Sequence, residues 1–316
     1  MALDRAMRPH MVLPVLLVGS VAFDDLQLPH GSFPNVVGGA ATYAAYAATI
    51  FAPVRIVAVV GDDFPEEHLS ALRKRGADTA GIERMAGKTF RWMGRYSNDL
   101  TSRETLETQL NVFADFSPRL PSAFVDSSLV MLGNIHPALQ TAVLDQVRAP
   151  QVVIADTMNF WIEGELAALK EVLRRVDTLV INEEEARQLS GEHNITRAAR
   201  GVRSLGPRRV LIKRGEYGAI LFDDQGTFFT PAYPLEEVLD PTGAGDSFAG
   251  GLIGYLATQP ELSPLALRRA MMVATACASF CVESVGTTRL AMVSRADVMK
   301  RLDGFRSLLH FGNEQF

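Results

Sequence analysis

Asp240-Pro241-Thr242-Gly243-Ala244-Gly245-Asp246-Ser247-Phe248-Ala249-Gly250-Gly251 decides how the rest of the chain is read. The run follows a Pro-punctuated, strand-like segment over 228–238 and opens an apolar helical stretch over 247–256. Gly243 and Gly245 bracket a turn whose backbone N–H groups can face outward with no Cβ in the way. The helix start behind the turn adds unpaired donors and the positive end of a dipole. Such a turn suits an anion, above all a phosphate. Asp246 is out of place there, because a carboxylate repels phosphate. A base that takes a proton from a hydroxyl, while the turn holds a transferring phosphoryl group, gives it a purpose. For one Asp after one Gly, an ordinary N-cap would suffice. It does not account for the whole run.

The run closely resembles the C-terminal signature of the ribokinase-like carbohydrate kinases, the PfkB family. The resemblance implies that Asp246 is the catalytic base. It also implies that Gly243, Ala244 and Gly245 form the anion hole.

At 316 residues the chain is long for one domain without clearly being two. Hydrophobic residues make up 47% and charged residues 21%, which allows a large core and argues against global disorder. A net charge of −5 argues against a nucleic-acid or anionic-membrane surface. Cys277 and Cys281 share one face of an apolar helical run and read as small buried hydrophobes. A disulfide framework or zinc site would need more partners, and a reducing cytoplasm fits. The apolar stretch 11–18, preceded by Arg5 and Arg8, loosely imitates a signal peptide. Asp4, Pro14 and its shortness favour a buried first strand instead. No run approaches membrane-spanning length.

That first strand, 12–18, ends at Gly19, and the next segment ends in Asp24-Asp25. On its own the acidic pair reads as a surface turn. The resemblance places a substrate-binding Asp five residues after this Gly, at Asp24, with Asp25 as the neighbouring alternative. Gly38-Gly39 opens an Ala-rich helix that runs to about residue 50. Residue type alone makes this a tightly packed core helix. By resemblance it is the family's N-terminal signature, where the acceptor meets the backbone at Gly38 and Gly39. Tyr43 stands where ribose-specific members carry Asn.

A second buried strand spans 54–60, followed by Gly61-Asp62-Asp63 and a helix over 65–75 with Pro65 in its first position. Gly87-Lys88-Thr89 imitates a P-loop, but its spacing from Gly81 fails. The alternation Phe90, Trp92, Gly94, Tyr96 reads as a strand. Strands over 89–96 and 104–113 join 26–37 in a small sheet outside the main one. The family has such a lid, here about 24–37 and 88–114. Arg95 and Arg103 lie on it, solvated by default, with one of them in a position to reach a sugar or phosphate.

From residue 129 the pattern becomes β-α-β. Strands fall over 129–132, 152–155, 178–181 and 210–213, and helices over 138–147, 163–176, 183–190 and 196–205. Such alternation implies a parallel sheet covered on both faces. Ligands bind beyond the carboxyl ends of its strands, where Asn134, Asp156, Asn159, Asn182 and Lys213 fall. Asn182-Glu183-Glu184-Glu185 alone reads as an acidic first helical turn. It also matches the family's Asn-x-x-Glu motif, which implies that Glu185 handles magnesium indirectly, through water. By the same resemblance Asn182, Lys213 and Gly215 contact the nucleotide. A hairpin, 219–222 with 227–229, and helices over 265–282 and 295–309, the last capped by Ser294, complete the chain.

The resemblance thus implies a single unit over 1–316, α/β in class. It is ribokinase-like and three-layered, α/β/α, with a central mostly parallel sheet and a small β lid. The implied activity is cytoplasmic, with ATP and Mg2+ as cofactors, and phosphorylates a hydroxyl of a sugar or sugar-like small molecule. A nucleoside kinase is the nearest alternative, with Phe90, Trp92 or Phe113 stacking the base. A catalytically silent nucleotide-binding module is a second alternative, against which Asp246 and the anion hole count. A nicotinamide dehydrogenase fails for want of a third Gly. No nucleic-acid or membrane partner is expected. A monovalent cation near Asp240 and a homodimer through the lid stay open.

Overall fold

The structure is a computed structural model that describes residues 12–310. The chain begins with β1 (Val15–Val18), β2 (Ala22–Leu28) and β3 (Gly31–Gly38), then α1 (Ala40–Ala48), β4 (Val54–Gly61) and α2 (Glu66–Lys74). It continues through β5 (Ala77–Met85), β6 (Arg91–Tyr96), β7 (Arg103–Gln109), β8 (Leu129–Leu132) and α3 (Pro137–Leu144). Next come β9 (Val152–Asp156), α4 (Asn159–Gly164), α5 (Leu166–Leu173), β10 (Thr178–Asn182), α6 (Glu183–Ser190) and α7 (Ile195–Arg203). The last elements are β11 (Arg209–Lys213), β12 (Ala219–Asp223), β13 (Gly226–Thr230), α8 (Ala244–Leu256), α9 (Pro264–Cys281) and α10 (Arg295–Leu309).

Among the described residues a nine-stranded sheet runs in the order β13-β12-β11-β10-β9-β8-β1-β4-β5. The strands from β11 to β5 pair in parallel, and β12 and β13 close one edge antiparallel. Side chains on a strand alternate faces, and β1 is apolar on both. Val15 and Leu17 join the core under α1, α8 and α9, while Leu16 and Val18 join the core under α3, α5 and α7. This is the three-layer arrangement expected from the sequence. β1 lies between β4 and β8, so the chain grows outward from it in both directions. A sheet that switches direction leaves a crevice at that point, where ligands bind.

A second sheet, in the order β3-β2-β6-β7, stands apart. It is the expected small sheet, spanning 22–38 and 91–109. β2 pairs with β6 in parallel and the other two pairings are antiparallel. Asp24-Asp25, read alone as a turn, lies inside β2.

Several local expectations are corrected. Pro65 is extended (ψ 134) and caps α2 from outside. The helix expected over 163–176 is two helices, broken at Glu165, whose φ of −131 leaves the helical region. β5 was not expected, because it sits at the sheet edge and carries only one buried residue, Ala77. The strand expected over 228–238 ends at Thr230. The signal-like stretch falls partly outside the described residues, and its described part leads into β1. No helix of the described residues is long and apolar enough to cross a membrane.

One contact sets where the two glycine turns meet. α1 and α8 pack together through small residues. A Cβ on Gly250 would stand 2.2 Å from the Ala44 carbonyl oxygen, and one on Gly254 would stand 2.7 Å from the Ala48 Cα. These neighbours are backbone atoms, which cannot swing aside. Gly250→Ala should therefore cost about 1–3 kcal/mol through overpacking. Chemical denaturation checks this, and a variant as stable as the wild type would show that the two helices are not locked at this spacing.

Candidate active site

Asp24 is 4% exposed and faces into the molecule from β2. A Cβ on Gly38 would stand 1.9 Å from Asp24 Oδ2, so the carboxylate fills the space that a side chain would take. The Gly39 backbone bonds the same carboxylate. Gly39 has φ 91, and a Cβ there would meet the Ser20 carbonyl oxygen at 2.5 Å. Both glycines are thus required by close approach. Burial, joined by the charges of Asp240 and Asp246, pushes Asp24 up to about 8. Asp25 points to the other face of its strand. It pairs with Arg91 Nη1 at 2.7 Å and accepts from the Asn35 N–H at 2.7 Å.

The anion turn is built from 240–246. Asp240, fully buried, accepts from the Thr242 N–H and the Gly286 N–H, both at 2.9 Å. Gly243 caps α8 in the left-handed region, with φ 75. A Cβ on it would stand 2.3 Å from the Tyr43 ring. Ala244 opens the helix and Asp246 lies in its first turn, where the N–H groups have no partner within the helix.

A second acidic group faces the same turn. Lys213, at the end of β11, places Nζ 3.3 Å from Asp156 Oδ2, at the end of β9. The same Nζ stands 2.9 Å from where a Gly245 Cβ would be. Only a glycine admits the ammonium so near the helix start. Burial alone would lower the lysine's pKa, but Asp156, Glu185 and Asp246 outweigh it and raise it, so the ammonium stays charged. Burial and the charge of Asp156 push Asp246 up to about 7, against the pull of Lys213 and Arg103.

Glu185, 5% exposed, closes a capping box. Its Oε2 accepts from the Asn182 N–H at 2.8 Å, and Asn182 Oδ1 accepts from the Glu185 N–H at 2.8 Å. Burial pushes its carboxyl up to about 7, with Lys213 opposing. Asn182 pairs with Lys213 across the sheet. Gly215, two residues beyond, has φ 55 and open space where a Cβ would stand.

The structure therefore gathers Asp24, Gly38, Gly39, Gly243, Gly245, Asp246, Lys213 and Glu185 around one crevice. Asp63, beyond the end of β4, accepts from the Thr89 N–H and hydroxyl and fastens the approach to β6. Phe90 packs against Phe113, which stacks on Phe116. Two participants had no spacing to mark them. Asp156 was one of several polar strand ends. Tyr96 bonds Thr242 Oγ1 through its hydroxyl, at 2.9 Å, and that pairing spans 146 residues.

Residues 14–293 match the pfkB family of carbohydrate kinases. The chain belongs to that family. A cytidine kinase of Thermococcus kodakarensis is 32% identical over 270 residues, which is 83% of this chain and 96% of the relative. The crystal structure of a Methanocaldococcus jannaschii nucleoside kinase superposes with a TM-score of 0.75 at 18% identity, over 94% of this chain and all of that one. The structure of an aminoimidazole riboside kinase from Salmonella enterica, complexed with aminoimidazole riboside and an ATP analog, gives a TM-score of 0.72 at 20% identity. It covers 92% of this chain and 99% of that one. This pfkB-family chain is a phosphotransferase for ATP-dependent phosphorylation of a hydroxyl on a sugar or nucleoside.

The buried carboxyls give this kinase a pH signature. Asp24 binds its proton more tightly folded than unfolded, so stability falls as pH rises from 3.8 through about 8. One such group contributes a slope of at most about 1.4 kcal/mol per pH unit. Asp246 and Glu185 act in the same direction up to about 7. Denaturant unfolding from about pH 5 to about pH 8 should show stability declining in the wild type and declining less steeply in Asp24→Asn. Parallel curves would place the Asp24 carboxyl in water.

Proposed function

We propose that this kinase phosphorylates the sugar hydroxyl of a ribonucleoside, with Asp246 as the base. Asp246 carries the chemistry of the reading. It is a carboxyl raised to about 7, in the first turn of α8, beside a glycine turn and a buried ammonium. A base poised near neutral pH suits proton removal from a hydroxyl. The likeness to a cytidine kinase over nearly that protein's whole length supports the nucleoside over a free sugar. Trp92, over Gly94 and on the same face of the lid as Tyr96, offers one aromatic surface beside the crevice.

In this reading Asp24 accepts hydrogen bonds from two vicinal hydroxyls of the acceptor, and the Gly38-Gly39 backbone lets the ring lie close. Asp246 takes the proton of the attacking hydroxyl as its oxygen bonds the γ-phosphorus. The bond from that phosphorus to the bridging oxygen breaks, and its electron pair leaves with ADP. Gly243 and Gly245 present N–H groups to the transferring group, while the Ala244 N–H donates to the Pro241 carbonyl at 3.2 Å and shapes the turn. Lys213 adds a point charge, and Asn182 and Gly215 border the nucleotide.

Magnesium, when bound with ATP, neutralises charge on the β- and γ-oxygens. The residues present fit a metal carried by phosphates and water. The described residues offer no group of three His, Cys, Asp or Glu side chains to hold one directly. Glu185 already uses one oxygen in its capping box and has one to offer a water shell. Two free, buried cysteines fit a reducing cytoplasm.

Turnover measured across a panel of nucleosides and sugars tests the acceptor. A nucleoside should give the highest kcat/KM, and a preference for free sugars would overturn that choice. Asp246→Asn should lower kcat by at least ~10²-fold, with ATP affinity little changed. A variant near wild-type turnover would remove Asp246 from the mechanism. Glu185→Gln should shift the magnesium dependence of the rate to higher concentration. An unchanged magnesium curve with a lowered melting temperature would leave Glu185 only its capping role.

A further inference from the structure

Asp156 ends β9 and is 6% exposed. Backbone and side chain are both held. Gln140, buried beneath it, donates to its carbonyl at 3.1 Å, and its Oδ1 accepts from the Thr157 N–H at 2.9 Å. Its other oxygen, Oδ2, meets Lys213 Nζ at 3.3 Å. β10 lies between β9 and β11, so the pair reaches across two strand spacings, roughly 10 Å. The ammonium has other acids at hand, since Glu185 and Asp246 both act on it. It stands 2.9 Å from where a Gly245 Cβ would be, one residue before Asp246. Glu185 has committed an oxygen to the Asn182 N–H. Among the described residues Asp246 forms no ion pair.

A buried ammonium so near a carboxylate would ordinarily pair with it, and that pair would ruin Asp246 as a base. An opposite charge within about 4–6 Å lowers a carboxyl's pKa by about 1–3, and a weaker base takes a hydroxyl proton less readily. The groups facing Asp246 come from several elements. Asp156 faces it from β9, Lys213 from β11 and Arg103 from β7, with Asp24 on β2 and Cys281 on α9 also near. Two cations favour loss of its proton, and Asp156 is the foremost charge that opposes them. Asp156 acts twice, by its own repulsion and by keeping Lys213 occupied.

We propose that Asp156 is a positioning residue whose carboxylate holds the Lys213 ammonium beside the anion turn and off Asp246, so that one cation can serve the phosphates without disarming the base. This rests on the kinase reading above. Asp156 takes no proton and touches no reacting atom in this role. The site needs positive charge for a triphosphate and a free carboxylate for the acceptor hydroxyl, at adjacent residues of α8. Left to themselves, the two would cancel. A third group that binds the ammonium more firmly than the base does keeps both available. The β9 carboxylate, clamped by Thr157 and carried on a backbone that Gln140 fastens, is in place before either substrate binds.

Asp156→Asn removes the charge and keeps both the shape and the acceptor for the Thr157 N–H. The acid limb of kcat/KM against pH reports the base in the free enzyme, and it should move down by about one pH unit or more. Turnover on the plateau should fall, but by less than in Asp246→Asn. The nucleotide's own titration is common to wild type and variant, so the difference between their limbs is what is read. In Asp156→Asn/Lys213→Met the ammonium is gone as well, and the limb should climb back toward the wild-type position. A limb that stays put in Asp156→Asn, even with a lowered melting temperature, would leave the carboxylate a structural partner and overturn its role. A double variant whose limb lies no higher than that of the single variant would overturn it too. Carboxyl NMR titration of the wild type, labelled at aspartate, needs no variant to fold. Asp246 should titrate at about 7, and titration in the ordinary carboxylate range would show a base already disarmed and sink the proposal. If the wild type phosphorylates no sugar or nucleoside and binds no ATP, the kinase reading falls, and the role of Asp156 with it. An active wild type with an unmoved limb in the variant removes the role of Asp156 alone.

Discussion

The absence of side chains where α1 crosses α8 is the constraint on which the site depends. Gly250 and Gly254 let α8 lie against the backbone of Ala44 and Ala48. That contact carries the Gly38-Gly39 turn at the head of α1 to within reach of the Gly243 turn at the head of α8. Tyr43 shows how tight the junction is, since its ring occupies the space over Gly243 and is itself 1% exposed. Two helix starts thus converge on one volume. The first receives a carboxylate, Asp24, and the second is arranged for an anion. In the proposed reading, a wider spacing would leave acceptor and phosphate in separate sites, and the gain from holding reactants together would be lost.

Crowding acids into one crevice is costly, and the fold answers with placement. Asp240 is buried but spends its oxygens on two backbone N–H groups. Asp156 is neutralised by Lys213. Asp24 and Asp246 are left without a salt-bridge partner among the described residues, and their carboxyls rise to about 8 and about 7. Such perturbed groups mark a place where the surroundings have been arranged for chemistry. Asp25, one residue from Asp24, lies on the outer face and pairs with Arg91.

What could be read from the chain beforehand was what is written locally. The helix starts at Asn182 and Ser294 are announced by caps with an acid three residues on, and both form capping boxes. The apolar runs of β1, β4 and β8 could only be strands buried on both faces. Glycines 38, 39 and 243 stood out because turns need them, and their surroundings confirm it. Partnerships formed across the fold stayed hidden. The pairing of Asp156 with Lys213 spans 57 residues, and nothing near either one signals the other. β5 was missed because an edge strand need not be apolar, and the break at Glu165 because nothing in its residue type forbids a helix.

The hydrogen bond between the Tyr96 hydroxyl and Thr242 Oγ1 ties the small sheet to the loop that would hold phosphate. A bond of this kind is worth about 1 kcal/mol net. Whatever seats the sheet over the acceptor therefore also steadies the phosphate loop. Linkage makes the effect mutual, so a nucleotide that orders the loop favours the seated sheet by the same factor, about fivefold for a bond of that strength. With the acceptor under the sheet and the nucleotide at the loop, as proposed above, that coupling would make the two substrates bind with synergy through one hydroxyl pair.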